Sequence, residues 1–253
     1  SILFAKKTKT KLIYPIHPIF ISILEKNNIT VNKYLSFLYW QFVILFFYFL
    51  GLKKITQIIL SFFKKNIFDI NNSVYFDTLP KEALNVNKNF FNKENFFTFI
   101  LNYFKNKKLN LKRINHSIRN AKKLNFDELE ICYSNFYIND FSLFDKINFI
   151  LWSLKAIILS FVDIFRGRWW HPLLLFYAAE RQLISIINPK NLHKVYLFNQ
   201  IGGYIFRPLW SYEAEQKGCD VIFYFYSLNY SPLTKITRRP PAIKSSSWNQ
   251  YIV

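Results

Sequence analysis

Four side chains in the last third of this 253-residue sequence could move a proton or hold an anion: His171, Arg207, Glu213 and Glu215. An imidazole titrates near neutral pH, so His171, next to Pro172, is a candidate base, although a helix-entry histidine is more often structural. Glu213 and Glu215 belong to one Glu-Ala-Glu run. On a helix they point to different faces, so at most one looks into a given cleft, and solvated helix charge is the plain alternative for both. The Arg207 guanidinium could grip a phosphate or another acidic group bidentately, or stand as a helix-surface cation. Asn199 and Gln200 follow one apolar run, Ser227 and Asn229 follow the next, and Gly202-Gly203 lies between them. These are ligand-binding candidates, because polar groups at the carboxyl ends of parallel strands line the crevice where open α/β sheets bind. No metal centre is expected: there is no Asp-x-Asp triplet, and Cys132 and Cys219 lack ligand spacing.

The elements that must position these groups are legible from His193 to Leu228. Val195-Tyr196-Leu197-Phe198-Asn199 is a continuous β-prone run of the kind buried on both faces of a parallel sheet. Gln200-Ile201-Gly202-Gly203 is a turn, Tyr204 to Lys217 is a helix closed by Gly218, and Val221 to Tyr226 is the next strand. Strand, helix and strand with short connections imply a right-handed crossover and an α/β fold. The glycine pair is also readable as a tight strand-to-helix turn, since the fuller dinucleotide fingerprint is absent.

Upstream, Tyr34 to Leu52 is an aromatic and aliphatic run of nineteen residues, which at ~1.5 Å each nearly matches the roughly 30 Å of a bilayer core. After Lys53-Lys54 the apolar positions Ile55, Ile58, Ile59, Phe62 and Phe63 suggest a second helix. Such helices suit three settings: a buried hairpin, the headgroup boundary, or a span. Val74 to Leu79 is β-prone and stopped by Pro80; Phe90 to Phe104 has one helical face; Lys105 to Asn125 reads as a solvated helix or loop. Ile147 to Phe165 is apolar but carries Lys155 and Asp163, which favours an amphipathic helix over a span. Arg166-Gly167-Arg168 closes it, and Leu173 to Ile187 forms another helix, with Pro172 in its first turn and Asn188-Pro189 as its end.

The composition, 51% hydrophobic with 29 Phe and 16 Tyr, is ample for a core and excludes a disordered chain. The formal charge of +19 is spread over single and paired lysines such as Lys53-Lys54 and Lys122-Lys123, with no recognition element to gather it. It therefore suits peripheral contact with an anionic membrane, or an anionic nucleotide-sugar, better than a nucleic acid. Two cysteines make no disulfide framework and suit a reducing compartment. No signal peptide is legible, and a chain that opens on Ser without any Met implies a natural start upstream.

The run Leu197-Phe198-Asn199-Gln200-Ile201-Gly202-Gly203, then Arg207-Pro208-Leu209-Trp210 and Glu213-Ala214-Glu215-Gln216-Lys217-Gly218, resembles the polysaccharide biosynthesis PFTS-motif proteins of bacterial surface-glycan gene clusters. Arg168-Trp169-Trp170 and Trp248-Asn249-Gln250-Tyr251-Ile252-Val253 are similar too, while the name-giving Pro-Phe-Thr-Ser run is absent. The resemblance implies a Rossmann-like N-terminal half of a GT-B-type glycosyltransferase, preceded by long apolar or amphipathic helices. It divides the chain into a helical, membrane-associable segment 1–70, an α/β domain 71–247, and 248–253 as the opening strand of a second domain not contained here. It implies transfer of a sugar from a nucleotide-sugar to a glycan or lipid-linked acceptor in capsule or O-antigen assembly, with no bound cofactor. Glu213, Glu215 or His171 would take the acceptor proton. The expected place is the cytoplasm, at the inner face of the membrane; a non-catalytic, membrane-associated scaffold of the same machinery is the alternative.

Overall fold

A computed structural model describes residues 11, 13–64, 70, 72–77, 79, 93–106, 110–117, 123–126, 129–199, 207–224 and 250–252. In chain order its elements are α1 Pro18–Lys26, α2 Lys33–Ser61, β1 Ser73–Phe76, α3 Lys93–Asn106, β2 Arg113–His116, β3 Leu124–Phe126, β4 Leu129–Tyr133, α4 Leu143–Phe165, α5 Trp170–Ile186, β5 Val195–Asn199, α6 Leu209–Gln216, β6 Asp220–Tyr224 and β7 Gln250–Ile252. The chain divides into two compact units, residues 1–59 with 148–179, and residues 60–147 with 180–253.

The second unit is built on a seven-stranded sheet in the order β3-β4-β2-β1-β5-β6-β7. Among the described strands only β3 runs antiparallel, against β4; the other five pairings are parallel. Numbered by chain position, the six parallel strands read 3-2-1-4-5-6, the order of a doubly wound, Rossmann-like sheet. The strand residues make this possible because both of their faces are apolar. Val74, Phe76, Ile114, Ile131, Val195, Leu197 and Ile222 share one face and pack with Ile100 and Phe104 of α3. Tyr75, Tyr196 and Phe198 alternate onto the other, where Tyr196 and Phe198 meet Trp210 of α6 at ring separations of 5.2 and 5.5 Å. A helix on each face is what the continuous β5 and β6 runs require.

Two expectations change. Lys105 to Asn125 is not solvated throughout: it holds β2 and the start of β3, with Leu111, Ile114, Asn115 and His116 buried. Four residues of Arg-Ile-Asn-His composition carry no period-two signal, and parallel pairing to β1 and β4 supplies what local pattern lacks. Lys53-Lys54 does not divide two helices, because α2 is one helix of 29 residues whose lysines reach off it without breaking its ladder. Gln250–Ile252 lies parallel beside Ile222–Tyr224.

In the first unit α2 buries Ser36, Ile44, Tyr48, Gly51, Ile55 and Ile58 along one side. Trp40 meets Trp169 at 6.2 Å, Tyr48 meets Phe161 at 6.5 Å, and Gly51 lies against Leu175. A Cβ on Gly51 would come within 2.6–2.8 Å of Leu175 Cγ, Cβ and Cδ2, closer than any carbon contact allows. Gly51→Ala is expected to destabilise by about 1–2 kcal/mol, an overpacking cost of ~1–3 kcal/mol partly offset by better helix propensity. The urea midpoint checks it, and adding Leu175→Ala should recover part of the loss. Positive φ falls where sequence placed the helix stops: 69° at Gly167 after α4 and 87° at Gly218 after α6.

Candidate functional site

The order 3-2-1-4-5-6 reverses direction between β1 and β5, and doubly wound sheets bind ligands beyond the carboxyl ends of the strands flanking that point. Asp77 follows β1 and Asn199 ends β5, so the chain sets a carboxylate-bearing and an amide-bearing residue at this place. The Asp77 N–H donates to Leu197 O at 2.9 Å, continuing the ladder past the strand, and Ser117 Oγ donates to Asp77 O at 3.0 Å. His116, the last residue of β2, is fully buried, and burial pushes its imidazole down to about 4. It is neutral at physiological pH. Gln200, Gly202, Gly203, Ser227 and Asn229 lie outside the described residues.

At the opposite edge a second buried imidazole organises the entry to β5. His193 Nδ1 is 3.0 Å from Ser73 Oγ, and its Nε2 is 3.3 Å from Asn135 O. A neutral ring donates from Nε2 to Asn135 O, and the Ser73 hydroxyl beside Nδ1 donates to Ile70 O at 2.8 Å. The Tyr196 hydroxyl donates to Phe136 O at 2.7 Å and accepts from His193 N at 3.2 Å. Burial lowers His193 to about 4 and raises Tyr196 well above the ordinary phenol. This cluster clasps the sheet edge to the 135–136 backbone.

The two carboxylates of α6 face different partners, as their spacing requires. Glu213 Oε2 accepts from Arg181 Nε at 2.9 Å, and Glu215 Oε2 pairs with Arg207 Nη1 at 2.8 Å. The Arg207 side chain is wholly buried. Its Nε donates to Ser211 Oγ and its Nη2 to Ser211 O, both at 2.9 Å, and its plane sits 4.3 Å from the Tyr212 ring centre. Arg207 and Glu215, proposed independently from sequence, thus form one unit that staples the entry of α6. Lys217 Nζ donates to Ser185 O at 2.8 Å and to Ile187 O, satisfying carbonyls at the end of α5.

His171 lies in the first unit, where α5 begins. Its Nδ1 is 2.5 Å from Oδ2 of Asp163, a carboxylate that is nearly fully buried while the imidazole is about half exposed. Arg168 N donates to Asp163 O at 2.9 Å, Arg168 Nη1 stands 3.9 Å from Asp163 Oδ1, and the guanidinium lies 5.8 Å from the Trp170 ring. A carboxylate at Nδ1 holds the proton there and leaves Nε2 as the acceptor atom, the arrangement of an oriented base. Trp169 stacks with Trp40 and His17 beside it, at 6.2 Å from each.

Sequence reading singled out His171 but missed Asp163 as its partner. The signal was present: an acid on the otherwise apolar α4, eight residues before the histidine and across the Gly167 turn. Asp77 was missed because its nearness to Asn199 is a product of strand order, and Arg181 because its pairing with Glu213 crosses two elements. Among the described residues no three of His, Cys, Asp and Glu gather closely enough to hold a metal ion.

No curated protein matches this chain. No solved structure matches it either. Residues 152–253, from within α4 through β7, match the sequence profile of the family described as polysaccharide biosynthesis PFTS motif protein. That stretch contains the Asp163–His171 pair, the Arg207–Glu215 pair and strands β5 to β7 of the Rossmann-like sheet, and the match supports a role in polysaccharide biosynthesis.

Proposed function

We propose that this chain is a glycosyltransferase-like protein of bacterial surface polysaccharide biosynthesis, of the capsule or O-antigen kind. It moves a sugar from a nucleotide-sugar to a glycan or lipid-linked acceptor, and its sheet is one Rossmann-like half of a GT-B architecture. The observation that carries this reading is the 3-2-1-4-5-6 sheet with its reversal between β1 and β5, in a chain whose residues 152–253 match a polysaccharide biosynthesis family. In such a transfer the acceptor hydroxyl oxygen bonds to the anomeric carbon, and the bond to the nucleotide's phosphate oxygen breaks with its electron pair. The hydroxyl proton passes to a base. Glu213 and Glu215 of the sheet unit and His171 of the first unit are the candidates for that base, and His171 is the one whose Nδ1 is held by a carboxylate, Asp163.

The test is sugar transfer, and surface glycan in cells, by His171→Gln and Asp163→Asn beside Glu213→Gln and Glu215→Gln, with protein abundance measured for each. His171→Gln is expected to slow transfer by about 10²-fold or more at unchanged abundance, the usual contribution of a positioned base. Normal glycan from all four variants would overturn the catalytic reading. It would favour the scaffold alternative, for which the engagement of both α6 carboxylates by arginines already speaks.

A further inference from the structure

The exposed side of α2 is as apolar as its buried side. Tyr34, Phe37, Phe42, Leu45, Phe46 and Phe49 all face outward, Phe42 at 67% and Phe49 at 62% exposure. On α4 the outward positions Ile150, Leu151, Leu154, Ile158, Phe161 and Phe165 recur at three- and four-residue intervals, which makes one stripe along the helix. Water-facing helices of a soluble domain do not carry stripes of this length, because each such side chain forgoes its transfer free energy.

Charge selects what covers the stripes. Residues 1–59 and 148–179 hold eleven Lys and Arg against two acidic residues, Glu25 and Asp163. Two copies meeting through this unit would bring like charges together, whereas an anionic leaflet attracts them. The lysines also decide the pose. Lys155, exposed near the middle of α4, borders the stripe, and Lys53 follows the last outward Phe of α2. A spanning pose would carry the Lys155 ammonium toward the bilayer centre. With the helix lying in the membrane plane, the same side chain reaches headgroup phosphates while the stripe enters the acyl region. By length and composition either helix could cross a membrane, so the placement of the lysines and not length selects the pose.

We infer that the outward sides of α2 and α4 form a face that embeds in an anionic lipid leaflet, with both helices lying in the membrane plane. The inference rests on these two surfaces and is independent of the transferase reading. The full chain should float with phosphatidylglycerol/phosphatidylcholine vesicles and remain at the bottom of the gradient with phosphatidylcholine alone. Phe42→Glu/Phe46→Glu and Leu154→Glu/Ile158→Glu, each verified as folded by circular dichroism, should lower partition by about tenfold or more, while Tyr133→Glu on the other unit should not. For the pose, Arg166→Cys, with Cys132 and Cys219 replaced by Ala, should react with a membrane-impermeant maleimide added outside sealed vesicles. Failure to float with anionic vesicles, undiminished flotation of the glutamate variants, or a stable vesicle-free dimer that these variants dissociate would overturn the proposal. Protection of the introduced thiol until the vesicles are opened would overturn the in-plane pose.

Discussion

Acidifying the protein from pH 7 toward pH 4 is expected to destabilise the sheet unit by about 3 kcal/mol for each of two histidines, His116 and His193. Both are fully buried, and burial holds both imidazoles down to about 4, against 6.5 for the group in water. Between those values the unfolded chain binds protons that the folded chain refuses. Stability therefore falls as pH drops through the window from about 6.5 to 4, and this contribution levels off below it. Losses of this size rival the whole stability of an ordinary domain. Urea midpoints at pH 7, 6, 5 and 4.5 measure the slope. His193→Gln, whose amide can donate toward Asn135 O, should remove roughly half of it. An unchanged slope in that variant would sink the assignment. Glu130 acts in a different window: hydrogen bonds from Lys123 and Arg113 hold its carboxyl below the usual range, so its contribution is lost only at more acid pH.

The second large effect is expected at the Arg207–Glu215 pair. Glu215→Ala leaves a wholly buried guanidinium without its carboxylate, and the cost should be about 3 kcal/mol, as for other one-sided deletions of buried ion pairs. Glu213→Ala removes an equally short contact, yet its partner Arg181 is more than half exposed and rehydrates. That loss should stay within about 1 kcal/mol. Arg207→Met/Glu215→Leu, which removes both charges, should recover much of the Glu215→Ala loss. Thermal unfolding of the four proteins checks the order; equal losses at Glu213 and Glu215 would contradict it. Any glycan defect of a Glu215 variant has to be read beside this stability change.

Local pattern was strongest where burial is two-sided or helices are long. The runs at Val74, Val195 and Val221 became central parallel strands, and the apolar spacing of 147–165 and 173–187 became α4 and α5, with Gly167 and Gly218 at the stops. It was weakest at β2, whose four residues take strand form only because β1 and β4 flank them. The candidate site divides the same way. His171, Arg207, Glu213 and Glu215 were visible as residue types with the right chemistry, but their partners were not, because Asp163, Ser211 and Arg181 reach them through a turn, one helical turn and a crossing between elements respectively.

Sequence alone determined that the chain is α/β, that β5, α6 and β6 form a strand–helix–strand unit, and that an Arg, two Glu and a His stand near it in the chain. Each of these follows from short-range periodicity, turn chemistry and residue type. Tertiary structure alone decided that the sheet reverses between β1 and β5, that Arg207 answers Glu215, and that Asp163 holds His171. The physical reason is that strand order and ion pairing are set by non-local packing, which periodicity does not encode. Strands β5 and β6 with α6 are accordingly one flank of a larger doubly wound sheet, whose reversal is completed by β1 from more than a hundred residues earlier.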